Sequence, residues 1–176
     1  MKMEKSTQTA KDRRCNSTLE DTVCCRLYES PIGVMAVCGN RQGITLLEFD
    51  DLKKWREFGE LTVSVNACLT QLDDYFTGKR TAFDVPLSPP GTLFQQKVWK
   101  ALQEIPYGKT ASYGQIAVRT SSPKGARAVG NANNHNLISI IIPCHRVIGS
   151  SGKLVGYAGG LWRKKWLLEH EKSNSN

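Results

Sequence analysis

The segment VPLSPPGT, residues 85–92, bars any regular element from crossing it and so splits the chain into two differently patterned halves. Pro86, Pro89 and Pro90 lack the backbone donor that a helix or a central strand needs, and Gly91 adds freedom where the chain turns. Upstream, CRLYES, GVMAVCG and GITLLEF are short runs rich in β-formers, separated by Ser30-Pro31-Ile32-Gly33 and by Gly39-Asn40-Arg41-Gln42-Gly43. Turn residues between such runs predict an antiparallel meander. Val65, Leu69, Leu72 and Phe76 then share one face of a helix that Gly78 is placed to end, and that face is expected to cover the sheet. The reading is an α/β domain over residues 23–87 and a second domain over 88–172, with a polar arm at 1–22, expected to be disordered, and a tail at 173–176.

Downstream the text is helical. Thr92 with Gln95 makes a capping-box pattern, and Phe94, Val98, Leu102 and Ile105 form a stripe that stops at Pro106. Ser112 with Gln115 repeats the signature and opens a short helix from Tyr113 to about Arg119. Ser122 as N-cap and Pro123 at the first helical position predict a second helix through KGARAVGNA. Two short helices across a tight turn make a helix-turn-helix candidate. The second is built from small residues around Arg127, which suits close approach to another surface and equally suits tight internal packing. ISIII is expected as a buried strand or extended segment, and a helix around Trp162, Trp166, Leu167 and Leu168 ends the chain. Trp99, Trp162 and Trp166 are read as core residues, and His135 and His170 as surface or packing residues.

Charge separates the halves more sharply than its total of +8 suggests. Residues 1–90 hold 12 Lys+Arg against 13 Asp+Glu, a net of −1, whereas residues 91–176 hold 12 against 3, a net of +9. Such a field suits a polyphosphate partner, and it also suits a basic surface with no ligand. No run approaches the roughly 18 apolar residues of a membrane helix, and MKMEKSTQTAKDRR lacks the apolar core of a secretory signal. The expected location is therefore inside a cell, in the nucleus of a eukaryote or the cytoplasm otherwise. The six cysteines, Cys15, Cys24, Cys25, Cys38, Cys68 and Cys144, are then expected as reduced thiols. They contain no C-x-x-C pair, so no metal or cofactor is implied, although a zinc site built on Cys24 with remote partners stays open.

Pro143 breaks the apolar run before Cys144-His145-Arg146. A cysteine acts through its thiolate, which His145 as a base and Arg146 as a positive charge could both favour. Adjacent residues on a strand point to opposite faces, so His145 reaches the sulfur only in a turn or through a bridging water. Taken alone, the dipeptide reads first as a buried structural cysteine beside an unrelated histidine.

Four separated stretches nevertheless occur in a telling order. FQQKVWKALQEIPYGKTASYGQIA, SPKGARAVGNANNHN, IPCHRV and GYAGGLWRKKWLLEHE together resemble the O6-alkylguanine-DNA alkyltransferases over residues 90–171, and the earlier region is compatible with that family's N-terminal domain. The resemblance implies a ribonuclease H-like α/β domain followed by a mainly helical domain with a helix-turn-helix. It also implies single-turnover transfer of an alkyl group from guanine O6, and from thymine O4, to the protein's own cysteine. By position it makes Cys144 the acceptor, His145 a base acting through water, Glu171 the carboxylate that orients the imidazole, and Asn136 a hinge. Tyr113 would assist the departing base and rotate the backbone phosphate, and Arg127 would fill the gap left by the flipped nucleotide. Tyr157 and Ala158 would contact the guanine, while Gln95, Gly114, Ser122 and Ser150 would touch the DNA backbone. The implied partner is double-stranded DNA containing O6-alkylguanine, bound by a monomer or by copies assembling cooperatively, without a membrane. Ser139 stands where some relatives carry proline and Ala158 where some carry serine, which bears on pocket width.

Overall fold

The computed structural model describes residues 23–49, 55–122 and 124–175; the predicted arm at 1–22 lies outside them. Strands β1 (Cys24–Ser30), β2 (Gly33–Asn40) and β3 (Gly43–Phe49) form the expected antiparallel meander in the order β1-β2-β3. Helix α1 (Val63–Phe76) packs across it, capped by the Thr62 hydroxyl and closed at Gly78, whose φ of 74° is the left-handed conformation that favours glycine. The fully buried stripe of α1 runs through Val65, Cys68, Leu72 and Tyr75, with Leu69 and Phe76 at its margin. It is thus rotated toward Tyr75 from the predicted face.

The second domain comprises α2 (Leu93–Gln103), β4 (Ala111–Ser112), α3 (Tyr113–Arg119), α4 (Ala126–Asn134), β5 (Val147–Ile148) and α5 (Leu161–Ser173). Both predicted capping boxes form, at Thr92/Gln95 and Ser112/Gln115. The parallel pair β4-β5 ties the helix-turn-helix to the segment that carries Cys144. Several contacts join the domains: among them, Leu47 of β3 exchanges backbone bonds with Leu137 and Ser139, and Tyr75 and Phe76 pack against Trp166 and His170.

The structure corrects several expectations. Cys25 and Cys38 are directly paired across β1 and β2, with Cα atoms 4.1 Å apart, and form a disulfide rather than two thiols. Helix α4 starts at Ala126 with Gly125 as its cap, because Gly125 N–H bonds back to the Ser122 carbonyl in a turn; Pro123 lies outside the described residues. ISIII is no strand. It makes a single bridge to β3 at Ile138 and then reverses, with Ile142 N–H on the Ile138 carbonyl and Ile140 at a φ of 70°. A β-branched residue held there costs on the order of 1–2 kcal/mol, which the complete burial of the turn offsets. Trp99 is core, Trp166 is half-buried, and Trp162 is 56% exposed because it lies on the outer side of α5. Helix α5 runs through Ser173, so the tail is shorter than predicted.

Candidate active site

The turn 138–142 delivers Cys144 into a short 3-10 turn, Cys144–Arg146, in which all three side chains are buried. Asn136 holds this arrangement. Its Nδ2 donates to the Ile142 carbonyl at 2.9 Å and to Cys144 Sγ at 3.1 Å, and its Oδ1 accepts from Ile138 N–H at 3.0 Å. One buried amide therefore closes the turn and touches the sulfur.

Burial pushes the Cys144 thiol above its ordinary value, against the amide of Asn136, the charge of Lys164 and the N–H groups of Cys144 and His145, which all favour the thiolate. At rest the sulfur is protonated and needs a base. His145 lies on the far side of the turn, with Nε2 2.8 Å from Glu171 Oε1 and Nδ1 buried without a hydrogen-bond partner among the described residues. Burial lowers its pKa, although Glu171 works in the other direction, so the imidazole is neutral.

Glu171 is completely buried and collects five donors. The Tyr75 hydroxyl, His145 Nε2 and Arg146 Nη2 converge on Oε1 at 2.9, 2.8 and 2.9 Å. Arg146 Nε and Gly108 N–H reach Oε2 at 2.9 and 3.1 Å. Burial alone would raise its pKa, but the hydrogen bonds from His145 and Arg146 and the Arg146 charge hold it well below the usual carboxylate range. An ionised carboxylate only accepts, so Nε2 of His145 carries the ring hydrogen and Nδ1 keeps the lone pair. The triad thus presents a neutral base on the side away from Glu171. Arg146 does not serve the sulfur as the sequence suggested; its guanidinium is spent on Glu171 and on the Ile105 carbonyl.

Lys164 also belongs to the site. It is fully buried and donates to the carbonyls of Val147, Val155 and Gly156 at 2.6, 2.6 and 3.2 Å. Burial pushes its pKa down to about 8, and a thiolate at Cys144 would act in the opposite direction. Lys164, Leu167 and Glu171 are the buried residues of α5, spaced three and four apart. That spacing was the signal for Lys164, as the spacing of Leu72 and Tyr75 was for the other group missed from sequence.

Tyr113 and Tyr157 close the space around the sulfur. Burial pushes both phenols above their ordinary value, and a thiolate at Cys144 would push them further the same way. The Tyr113 hydroxyl donates to the Val155 carbonyl at 3.3 Å, and a side chain at Gly156 would come within 3.2 Å of it, so glycine permits this approach. Ala158 is exposed beside Tyr157. The other predicted DNA contacts are exposed or half-buried. Gly114 is exposed at the start of α3, Arg127 on the outer side of α4, and Ser150 in the turn after β5, while Ser122 is half-buried before α4. Gln95 is partly occupied, since its Oε1 accepts from Thr92 N–H at 2.8 Å to complete the helix cap. Among the described residues no group of three His, Cys, Asp or Glu side chains could hold a metal ion.

Comparison with known proteins agrees with this architecture. Residues 23–89 match the family model described as "6-O-methylguanine DNA methyltransferase, ribonuclease-like domain", and residues 93–173 the one described as its "DNA binding domain". The chain is similar to the methylated-DNA--protein-cysteine methyltransferases of Methanosarcina acetivorans (48% identity, 84% of this chain and 97% of the relative) and Mycobacterium tuberculosis (50%, 85% and 93%). The crystal structure of the Mycobacterium tuberculosis O6-methylguanine methyltransferase superposes with a TM-score of 0.77 at 48% identity, over 88% of this chain and 95% of that one. A structure described as Mycobacterium tuberculosis OGT in complex with DNA gives 0.78 at 49%, over 86% and 94%. With both domains matched in order around one buried cysteine, this chain belongs to the 6-O-methylguanine DNA methyltransferase family.

Proposed function

We propose that the protein repairs DNA by direct reversal, taking the alkyl group from O6 of guanine, or O4 of thymine, onto Cys144. The observation that carries this reading is the pairing of a thiol that Asn136 contacts at 3.1 Å with a neutral imidazole fixed by a buried carboxylate. His145 takes the thiol proton at Nδ1 through an intervening water, and Glu171 stabilises the imidazolium that results. The thiolate attacks the alkyl carbon in line; the S–C bond forms as the C–O6 bond breaks, and the electron pair leaves with the guanine. The departing base takes the Tyr113 hydroxyl proton, and the proton held by His145 passes through water to restore that phenol.

Cys144 is only 7% exposed, so its sulfur cannot reach a base stacked in a duplex and the nucleotide must be flipped into the space between Tyr113 and Tyr157. The positive second half binds the phosphates, and Arg127 on α4 occupies the gap in the stack. The product is a thioether, which offers no carbonyl for water to attack. The other free cysteines among the described residues, Cys24 and Cys68, are buried in the first domain and do not regenerate it. One turnover per molecule follows. Among the described residues no helix is long and apolar enough to cross a membrane.

The experiment is incubation with a duplex bearing a single O6-methylguanine, followed by mass measurement of the intact protein and its peptides. One methyl group replacing the hydrogen of Cys144 is expected, with DNA binding kept and transfer lost in Cys144→Ser. Unmodified Cys144 would indicate a damage sensor, and turnover beyond one equivalent a hydrolytic enzyme; either overturns the proposal.

A further inference from the structure

The segment 149–160 carries Tyr157 and Ala158, and two successive cations of α5 anchor its end. Lys164 holds Val155 and Gly156 from within the second domain. Arg163 reaches into the first. Its Nε donates to the Ile32 carbonyl in the β1-β2 turn at 2.7 Å, and its Nη1 to the Gly159 carbonyl, one residue beyond Ala158, also at 2.7 Å. The guanidinium carbon lies 4.8 Å from the ring centre of Phe49, the last residue of β3, and 4.4 Å from that of Trp162.

The neighbouring backbone is shaped to this side chain. A Cβ at Gly33 would fall 2.9 Å from Arg163 Nη2. One at Gly159 would meet Tyr157 Cε1 at 2.9 Å and Phe49 Cδ2 at 3.1 Å, so only glycine lets the loop lie against both rings. A planar fork stacked on aromatic rings fixes both the distance and the angle between its two acceptors. The pocket loop is therefore referenced to the first domain's sheet.

We infer that Arg163 is a positioning residue through which the first domain sets the width of the alkyl pocket. The inference rests on the alkyl-transfer reading above. Releasing Gly159 lets the loop carrying Tyr157 and Ala158 move outward; large alkyl groups are then better accommodated, and a methyl group is less well aligned with the sulfur. A lysine keeps the charge but can neither bridge the two carbonyls as a fork nor stack as a plane.

The test measures single-turnover rates on one duplex sequence carrying either O6-methylguanine or O6-benzylguanine, for the wild type, Arg163→Lys, Phe49→Leu and Trp162→Ala. The benzyl-to-methyl rate ratio is expected to rise by about tenfold in Arg163→Lys, the size of effect that pocket width commands, and to rise less in the other two, with duplex affinity unchanged. Equal loss of both rates, as a general loss of structure would give, or an unmoved ratio overturns the inference. Trp162 is exposed, so its replacement threatens the fold least, and an unmoved ratio in Trp162→Ala is decisive even where another variant fails to fold. A wild type that acquires no methyl group defeats the alkyl-transfer reading instead, and with it the premise of the inference.

Discussion

Tyr75, on the last turn of α1, donates its hydroxyl hydrogen across 2.9 Å to the same oxygen of Glu171 that holds His145. Both residues are completely buried, and they come from different domains. The hydrogen-bond cluster on Glu171 is thus completed by the domain that the second half's motifs do not include.

Removing that hydroxyl is therefore expected to cost stability. Tyr75→Phe should lower the unfolding free energy by about 2 kcal/mol, the worth of a buried hydrogen bond to a charged group. Urea unfolding monitored by tryptophan fluorescence measures it, and a midpoint equal to the wild type's would show that the contact contributes nothing.

Asn136 satisfies two backbone groups besides touching the sulfur. Asn136→Ala leaves the Ile142 carbonyl and the Ile138 N–H buried without this partner, and should destabilise the protein by about 3 kcal/mol. Methyl transfer should also slow beyond what the lost folded fraction explains, which comparison of rate with circular dichroism at low temperature would reveal.

Stability should decline as pH falls, for two reasons of the same sign. His145 titrates below its ordinary 6.5 in the folded protein, so the unfolded chain takes up that proton first as pH drops through about 6.5. Glu171 is held well below the carboxylate range, so its contribution is complete above an unfolded value of about 4.3 and is lost as pH falls toward its folded value. A urea midpoint that stays level or rises from pH 7 to about 4 would contradict an ionised Glu171 beside a neutral His145.

Arg127 is exposed on α4, away from the sulfur. If it fills the gap behind a flipped nucleotide, Arg127→Ala should slow repair of duplex O6-methylguanine by at least about tenfold, the cost of a few kcal/mol of unstacking left uncompensated. Reaction with free O6-benzylguanine should be nearly unaffected. Equal losses on the two substrates would remove the role in base flipping.

The features legible in the sequence are those whose partners lie within a few residues. The capping boxes at Thr92/Gln95 and Ser112/Gln115 close over three residues, Gly78 ends α1 where a left-handed residue is needed, and the β runs alternate with turn residues that set a meander. Cys144, His145 and Glu171 stood out by their resemblance to a family, but the contacts that hold them did not. Local pattern also misled where tertiary packing overrode it. ISIII has a strand's composition, yet Asn136 and the bridge to Leu47 bend it into a turn through Ile140, and Ser122 has a capping side chain that the turn to Gly125 leaves unused. The hub at Glu171 joins Tyr75, 96 positions away, and Arg163 joins Ile32 across 131. Composition and periodicity state which faces will be buried; they do not state which buried polar groups meet. Only close packing of the two domains decides that, because each buried donor and acceptor must find its partner in whatever geometry the folded chain provides.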